Sequence, residues 1–238
     1  MLRPFRRALA RTLAAAGLAL LAWACMTPPP PLPIQPRSEI DLAELTQDTR
    51  RQVLKNNRTA MVWWLPEQYW REATRQQKSP EATAEVMREA VRPYVIVFAL
   101  DVALKEGERL EGKSEETLRQ SIRMRDAQGR VYPPIPWTDV SPAVTVLLAA
   151  MQPQLAAMMG QLGASFRPFV FPAQDAEGRA IADPLASGRF SVELDDTTLV
   201  WDLPLAALVA PRVCPIDSAQ WSGTYRFCPV HGVPLVNR

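Results

Sequence analysis

The chain is predicted to be an α+β protein, with an antiparallel sheet or β-sandwich carrying packed helices and a small pair of knuckles at the C-terminus. Three observations predict this. Residues 94–104 (YVIVFALDVAL) form an apolar, β-branched and aromatic run suited to a strand buried on both faces. Phe190, Val192 and Leu194 alternate with Arg189, Ser191 and Glu193, and Leu199, Trp201 and Leu203 share one face after Asp195-Asp196, as in an antiparallel hairpin. The other strand-like stretches mostly have one dry face, are joined by short turns and are interrupted by helical insertions.

The elements follow in order. Ser38 caps a helix carrying Glu39, Asp41 and Glu44 in its first turns and Ile40, Leu42, Leu45, Val53 and Leu54 on its apolar side, closed by Lys55-Asn56-Asn57. Residues 59–65 (TAMVWWL) read as a strand ended by Pro66. Helices are predicted over 67–77 and 80–91, the second opened by Ser79-Pro80. After the central strand comes a polar loop at 105–116. Leu118, Ile122 and Met124 then alternate with Arg119, Ser121, Arg123 and Arg125, predicting a strand with one basic, solvated face. Ser141-Pro142 starts a helical segment in which Pro153 predicts a break or kink and which Gly160 and Gly163 end. A strand follows over 166–171. The pentapeptide Asp-Ala-Gln/Glu-Gly-Arg occurs at Asp126 and again at Asp175; it lacks the further oxygen ligands of a calcium loop and is read as a turn.

At the other end, residues 1–24 read as an export signal. Arg3, Arg6, Arg7 and Arg11 precede an apolar run at 13–24, too short to span a bilayer, and Ala22-Trp23-Ala24 is a small-x-small cleavage site. Cys25 directly after the cut resembles the lipobox of bacterial lipoproteins. The resemblance implies a lipidated Cys25 at the new N-terminus and tethering to the cell envelope, and Met26, in place of the aspartate that retains such proteins in the inner membrane, points to the outer membrane. Ala-Trp-Ala also suits ordinary signal peptidase, which leaves a secreted chain as the alternative. Residues 25–37 then form a tether with five prolines in seven residues from Thr27 to Pro33, an extended spacer. The main domain is expected over 38–210 and the tail over 211–238.

Removing the signal changes the charge. The chain has 27 Lys+Arg and 25 Asp+Glu; without the four signal arginines the balance is 23 against 25, a net of −2. That charge and export both argue against a nucleic-acid partner. The chain's single histidine, His231, excludes multi-histidine metal centres. With Cys25 lipidated, Cys214 and Cys228 remain as a pair.

The tail contains Cys214-Pro-Ile-Asp217 and Cys228-Pro-Val-His231-Gly232, two pairs of metal-ligand types at a spacing that lets each curl toward one tetrahedral ion. This resembles a zinc ribbon, whose knuckles commonly read Cys-Pro-x-Cys-Gly, with Asp217 and His231 where most ribbons have cysteines and Ser218 at the first glycine. The resemblance implies one structural zinc held by Cys214, Asp217, Cys228 and His231. A Cys214 to Cys228 disulfide is the alternative, stabilising by roughly 3 kcal/mol. No catalytic constellation stands out. The expectation is a membrane-tethered, non-enzymatic envelope lipoprotein acting as a structural or binding module for an envelope protein or glycan. Two alternatives are a zinc-dependent hydrolase of envelope polymers, with Asp217 as general base, and a glycan-binding module stacking sugars on Trp63, Trp64 and Trp70.

Overall fold

Strand β3 (Tyr94–Lys105) organises the fold. The computed structural model describes residues 33–106 and 109–237; the segment expected to be an export signal, Cys25 and most of the expected proline spacer lie outside the described residues. Every residue of β3 from Val95 to Val102 is buried, in keeping with its unbroken apolar run. It pairs antiparallel with β2 (Arg58–Leu65) on one edge. On the other edge its first half pairs with β7 (Arg167–Pro172) and its second half with β4 (Arg109–Gly112). β1 (Arg50–Lys55), beyond β2, completes a five-stranded sheet.

A second sheet has the order β6-β5-β8-β9, from β5 (Arg123–Arg125), β6 (Val131–Tyr132), β8 (Gly188–Leu194) and β9 (Thr197–Leu203). A third, small sheet places β10 (Arg212–Val213) between β11 (Gln220–Trp221) and β12 (Val236–Asn237). Five α-helices accompany them among the described residues: α1 (Leu42–Thr49), α2 (Glu67–Gln76), α3 (Glu81–Val91), α4 (Glu115–Ser121) and α5 (Pro142–Met159). All strand pairings are antiparallel, so the chain is α+β.

Alternation along β2 and β3 divides their side chains between two cores. Val62, Trp64, Val95, Val97 and Ala99 pack against Phe190, Val192 and Trp201 of the second sheet. Trp63, Leu65, Ile96, Phe98 and Leu100 face Trp70 of α2, Val91 of α3, and Val144, Leu148 and Leu155 of α5. The layers are therefore helices, large sheet, second sheet. Each fully buried large apolar side chain contributes about 1.5–3 kcal/mol.

Three expectations are corrected. The helix expected up to Lys55 stops at Thr49, with Asp41 as its cap, accepting from the Ala43 and Glu44 N–H groups. Arg50–Lys55 instead pairs with β2 across Asn56-Asn57, whose φ values of 51° and 58° make the left-handed two-residue turn that favours hairpins. Leu118 lies in a helical turn that Ile122 closes, not in a strand: Ser114 caps the turn, Glu115 and Glu116 begin it, the Ile122 N–H donates to Leu118 O, and these two apolar residues four apart face the core. Finally, Pro153 does not break α5, which runs through it. Both Pro153 and Ala149, whose carbonyl loses its usual partner there, are exposed, so water can take that bond.

The end of the spacer is docked on the domain. Pro36 bridges Val209, the Arg37 N–H donates to Leu208 O at 2.9 Å, and the Arg37 guanidinium pairs with Glu44.

Candidate metal centre

The small C-terminal sheet carries two loops of the same shape. In the first, the Cys214 N–H donates to Ala219 O at 2.9 Å and the Ser218 N–H returns to Cys214 O at 2.9 Å. In the second, the Cys228 N–H donates to Val233 O at 2.8 Å and the Gly232 N–H to Cys228 O at 2.9 Å. Both therefore close at identical offsets. The fifth residue of each loop has positive φ, 60° at Ser218 and 67° at Gly232. Pro215 and Pro229 preset the backbone angle directly after each cysteine, so one short pattern folds twice into one turn.

Each turn aims backbone donors at its own sulfur. The His231 N–H lies 3.4 Å from Cys228 Sγ. Burial pushes both thiols up; at Cys228 the N–H groups of His231 and Val230 overcome this and bring it to about 7, whereas Cys214 stays raised despite the N–H groups of Ile216 and Asp217. Asp217 is held below the usual carboxylate range by the Ala219 N–H, by Cys214 and by nearby His231.

The two turns bring three ligand atoms together. His231 Nδ1 lies 3.4 Å from Cys214 Sγ and 3.6 Å from Cys228 Sγ, and all three atoms fall within 4.8 Å of one another. Both cysteines are buried free thiols packed with Leu235, Val233 and Trp221, while His231 reaches solvent. Two thiols and an imidazole in this arrangement can hold a metal ion. Asp217 stands at the edge of the group, with Oδ2 3.8 Å from the same nitrogen and Oδ1 engaged by the Ala219 N–H at 3.0 Å. Buried Arg212 ties the sheet to the intervening loop through Tyr225 O at 2.8 Å.

The aromatic cluster has a different role. Trp63, Trp64 and Trp70 are each at most 3% exposed, and the indole N–H groups of Trp63 and Trp70 donate internally to Thr49 Oγ1 and Leu65 O. They wedge α2 and the two sheets together, so no indole face is open for a sugar to stack on. The arginine stripe is likewise engaged: Arg119 lies over Trp137 and Phe169 and pairs with Glu115, Arg123 donates to the Arg119 and Ile122 carbonyls, and Arg125 pairs with Glu193.

The repeated acidic pentapeptide forms two matching turns. Oδ1 of Asp126 accepts from the N–H groups two and four residues on, Oδ2 accepts from Arg130, and Asp175 does the same with Arg179. Their oxygens are occupied by donors, consistent with turn chemistry. Sequence reasoning missed that Arg130 also reaches the second turn; an arginine at the fifth place of both copies was the available signal. Comparison of the chain with family models, with curated proteins and with solved structures returns no match to any of them.

Proposed function

We propose that this chain is a lipid-tethered protein of the bacterial cell envelope, most consistent with the outer membrane, whose α+β domain is a structural or binding module and whose tail is stapled by one zinc ion. One observation carries the metal assignment. With Zn–S of about 2.3 Å and Zn–N of about 2.05 Å, a tetrahedral site separates sulfur and nitrogen by about 3.6 Å. The 3.4 and 3.6 Å separations at His231 Nδ1 match that figure. Cys214, Cys228 and His231 would hold the ion, and Asp217 Oδ2 or a water would take the fourth place. Zinc would supply a cross-link between the two turns, on the order of 10 kcal/mol in small zinc modules.

Export is supported by the basic start, the short apolar run and Ala22-Trp23-Ala24; the tether by Cys25 and the proline-rich stretch behind it. Native and denaturing mass spectrometry of protein taken from bacterial membranes tests both parts. A lipid mass on Cys25 and one zinc per chain are expected. An unmodified N-terminus, or a two-hydrogen loss joining Cys214 to Cys228 with no metal, would overturn the respective part.

The zinc-hydrolase alternative draws on one observation, the exposed Asp217 carboxylate beside rather than within the three-atom group. Turnover of envelope polymers by the purified protein, lost in Asp217→Ala with zinc retained, would establish it.

A further inference from the structure

Helix α5 carries no charge on any side and its polar side chains are limited to Thr145, Gln152 and Gln154, yet only Val144, Leu148 and Leu155 of its 18 residues are buried. A helix of that character is ordinarily enclosed, by a protein core or by lipid. No Asp, Glu, Lys, Arg or His occurs from Val140 to Phe166, in a chain with 22% charged residues. At about 100° per residue the three buried side chains fall on one line. Val146, Ala149, Ala150, Pro153 and Ala157 lie opposite it and are exposed, and Met158, to one side, is 73% exposed. By length and composition α5 could cross a membrane, but its buried line holds it against the large sheet.

We propose that the uncharged outer face of α5 lies flat on the lipid surface to which Cys25 tethers the chain, an assignment that rests on the lipoprotein reading above. The occupant follows from the tether. The described structure begins at Pro33, eight residues after Cys25, and covalent geometry limits the span of such a link to under about 30 Å. A domain held so close meets the surface at a high effective concentration, so an apolar contact too weak to recruit free protein becomes an intramolecular one. The face also suits lipid better than a protein. Its centre, of alanine, valine and proline, presents neither hydrogen-bonding side chains nor charge for a specific partner, with exposed Gln154 only at its margin, and insertion into the acyl boundary requires neither.

The test uses the full lipidated chain, purified from bacterial membranes and reconstituted in phosphatidylcholine vesicles containing a diazirine-bearing phosphatidylcholine. After photolysis, lipid adducts mapped by mass spectrometry are expected on α5 between Val146 and Met158. A Val146→Lys, Met158→Lys double variant should stay on the vesicles and lose those adducts. Both side chains are exposed, and a matching circular dichroism spectrum checks that the variant folds. Adducts on another face of a vesicle-bound chain would overturn the docking and leave the tether standing. A chain that fails to float with vesicles would overturn the tether and the docking with it. A chain that runs as a dimer in native mass spectrometry, with no lipid adducts on α5, would reassign the face to a second copy and overturn the proposal.

Discussion

Arg130 of the first acidic turn donates through Nη2 to Asp175 of the second at 2.5 Å, while its Nε holds Asp126 at 2.7 Å and its Nη1 meets Glu177 at 2.8 Å. One guanidinium thus clasps two turns of nearly identical sequence, one beyond β5 of the second sheet and the other beyond β7 of the large sheet. Replacing it with Met, which keeps the stem and removes the charge, should lower the urea midpoint without changing the slope of the transition. Arg179→Met should do less, because Arg179 reaches only Asp175 and Glu177 of its own turn.

The same clasp sets an acid dependence. Burial raises Asp126 and Asp175, but backbone and arginine donors outweigh it and hold both below the usual range; Lys113 does the same for Asp195, and Arg58 for Asp196. Folded values below the unfolded one mean stability that is complete above pH of about 4 and is lost as pH falls toward the folded values. Urea midpoints at constant ionic strength should therefore hold down to about pH 4 and fall steeply below it. The Arg130→Met variant should show a shallower fall.

Asp101 is buried in the second half of β3, accepting from Arg58 and paired with Lys113 at 2.7 Å. Both cations reach solvent, which reduces the cost of stranding them. Asp101→Ala should destabilise by about 2–3 kcal/mol, less than a fully enclosed ion pair would lose. A loss under 0.5 kcal/mol by urea titration would show that the network is only a surface feature.

Ser218 and Gly232 occupy the same left-handed place in the two knuckles, and only one of them is glycine. Ser218→Gly should stabilise the tail by about 0.5–1 kcal/mol, and Gly232→Ala should weaken it by about 1 kcal/mol. Amide exchange at Cys214 and Cys228, whose N–H groups close the two turns, reports each change.

Chelation should separate the tail from the rest. The three-atom group lies in a cluster of its own, formed by Cys214, Cys228 and Leu235 with Trp221 and Val233, apart from the two large cores. Removing metal should make residues 211–237 sensitive to limited proteolysis while the domain stays resistant. Cleavage at equal rates with and without chelator would remove the staple.

What the sequence by itself determined were the features written in neighbouring residues. The apolar run of β3, the alternation of β8 and β9 and the two Cys-Pro turns could be read directly, because burial on two faces, burial on one face and a preset turn each leave a local pattern. The tertiary structure alone decided the rest. Arg50–Lys55 carries too few apolar residues to show a period, and pairing with β2 made it a strand. Residues 118–122 fitted a strand period and a helical one equally, and the Ser114 cap with the shared core chose the helix. Whether Trp63, Trp64 and Trp70 face water or protein, and which second turn Arg130 reaches, depends on elements distant in the chain. Such contacts are chosen by the packing of layers, which no local spacing records.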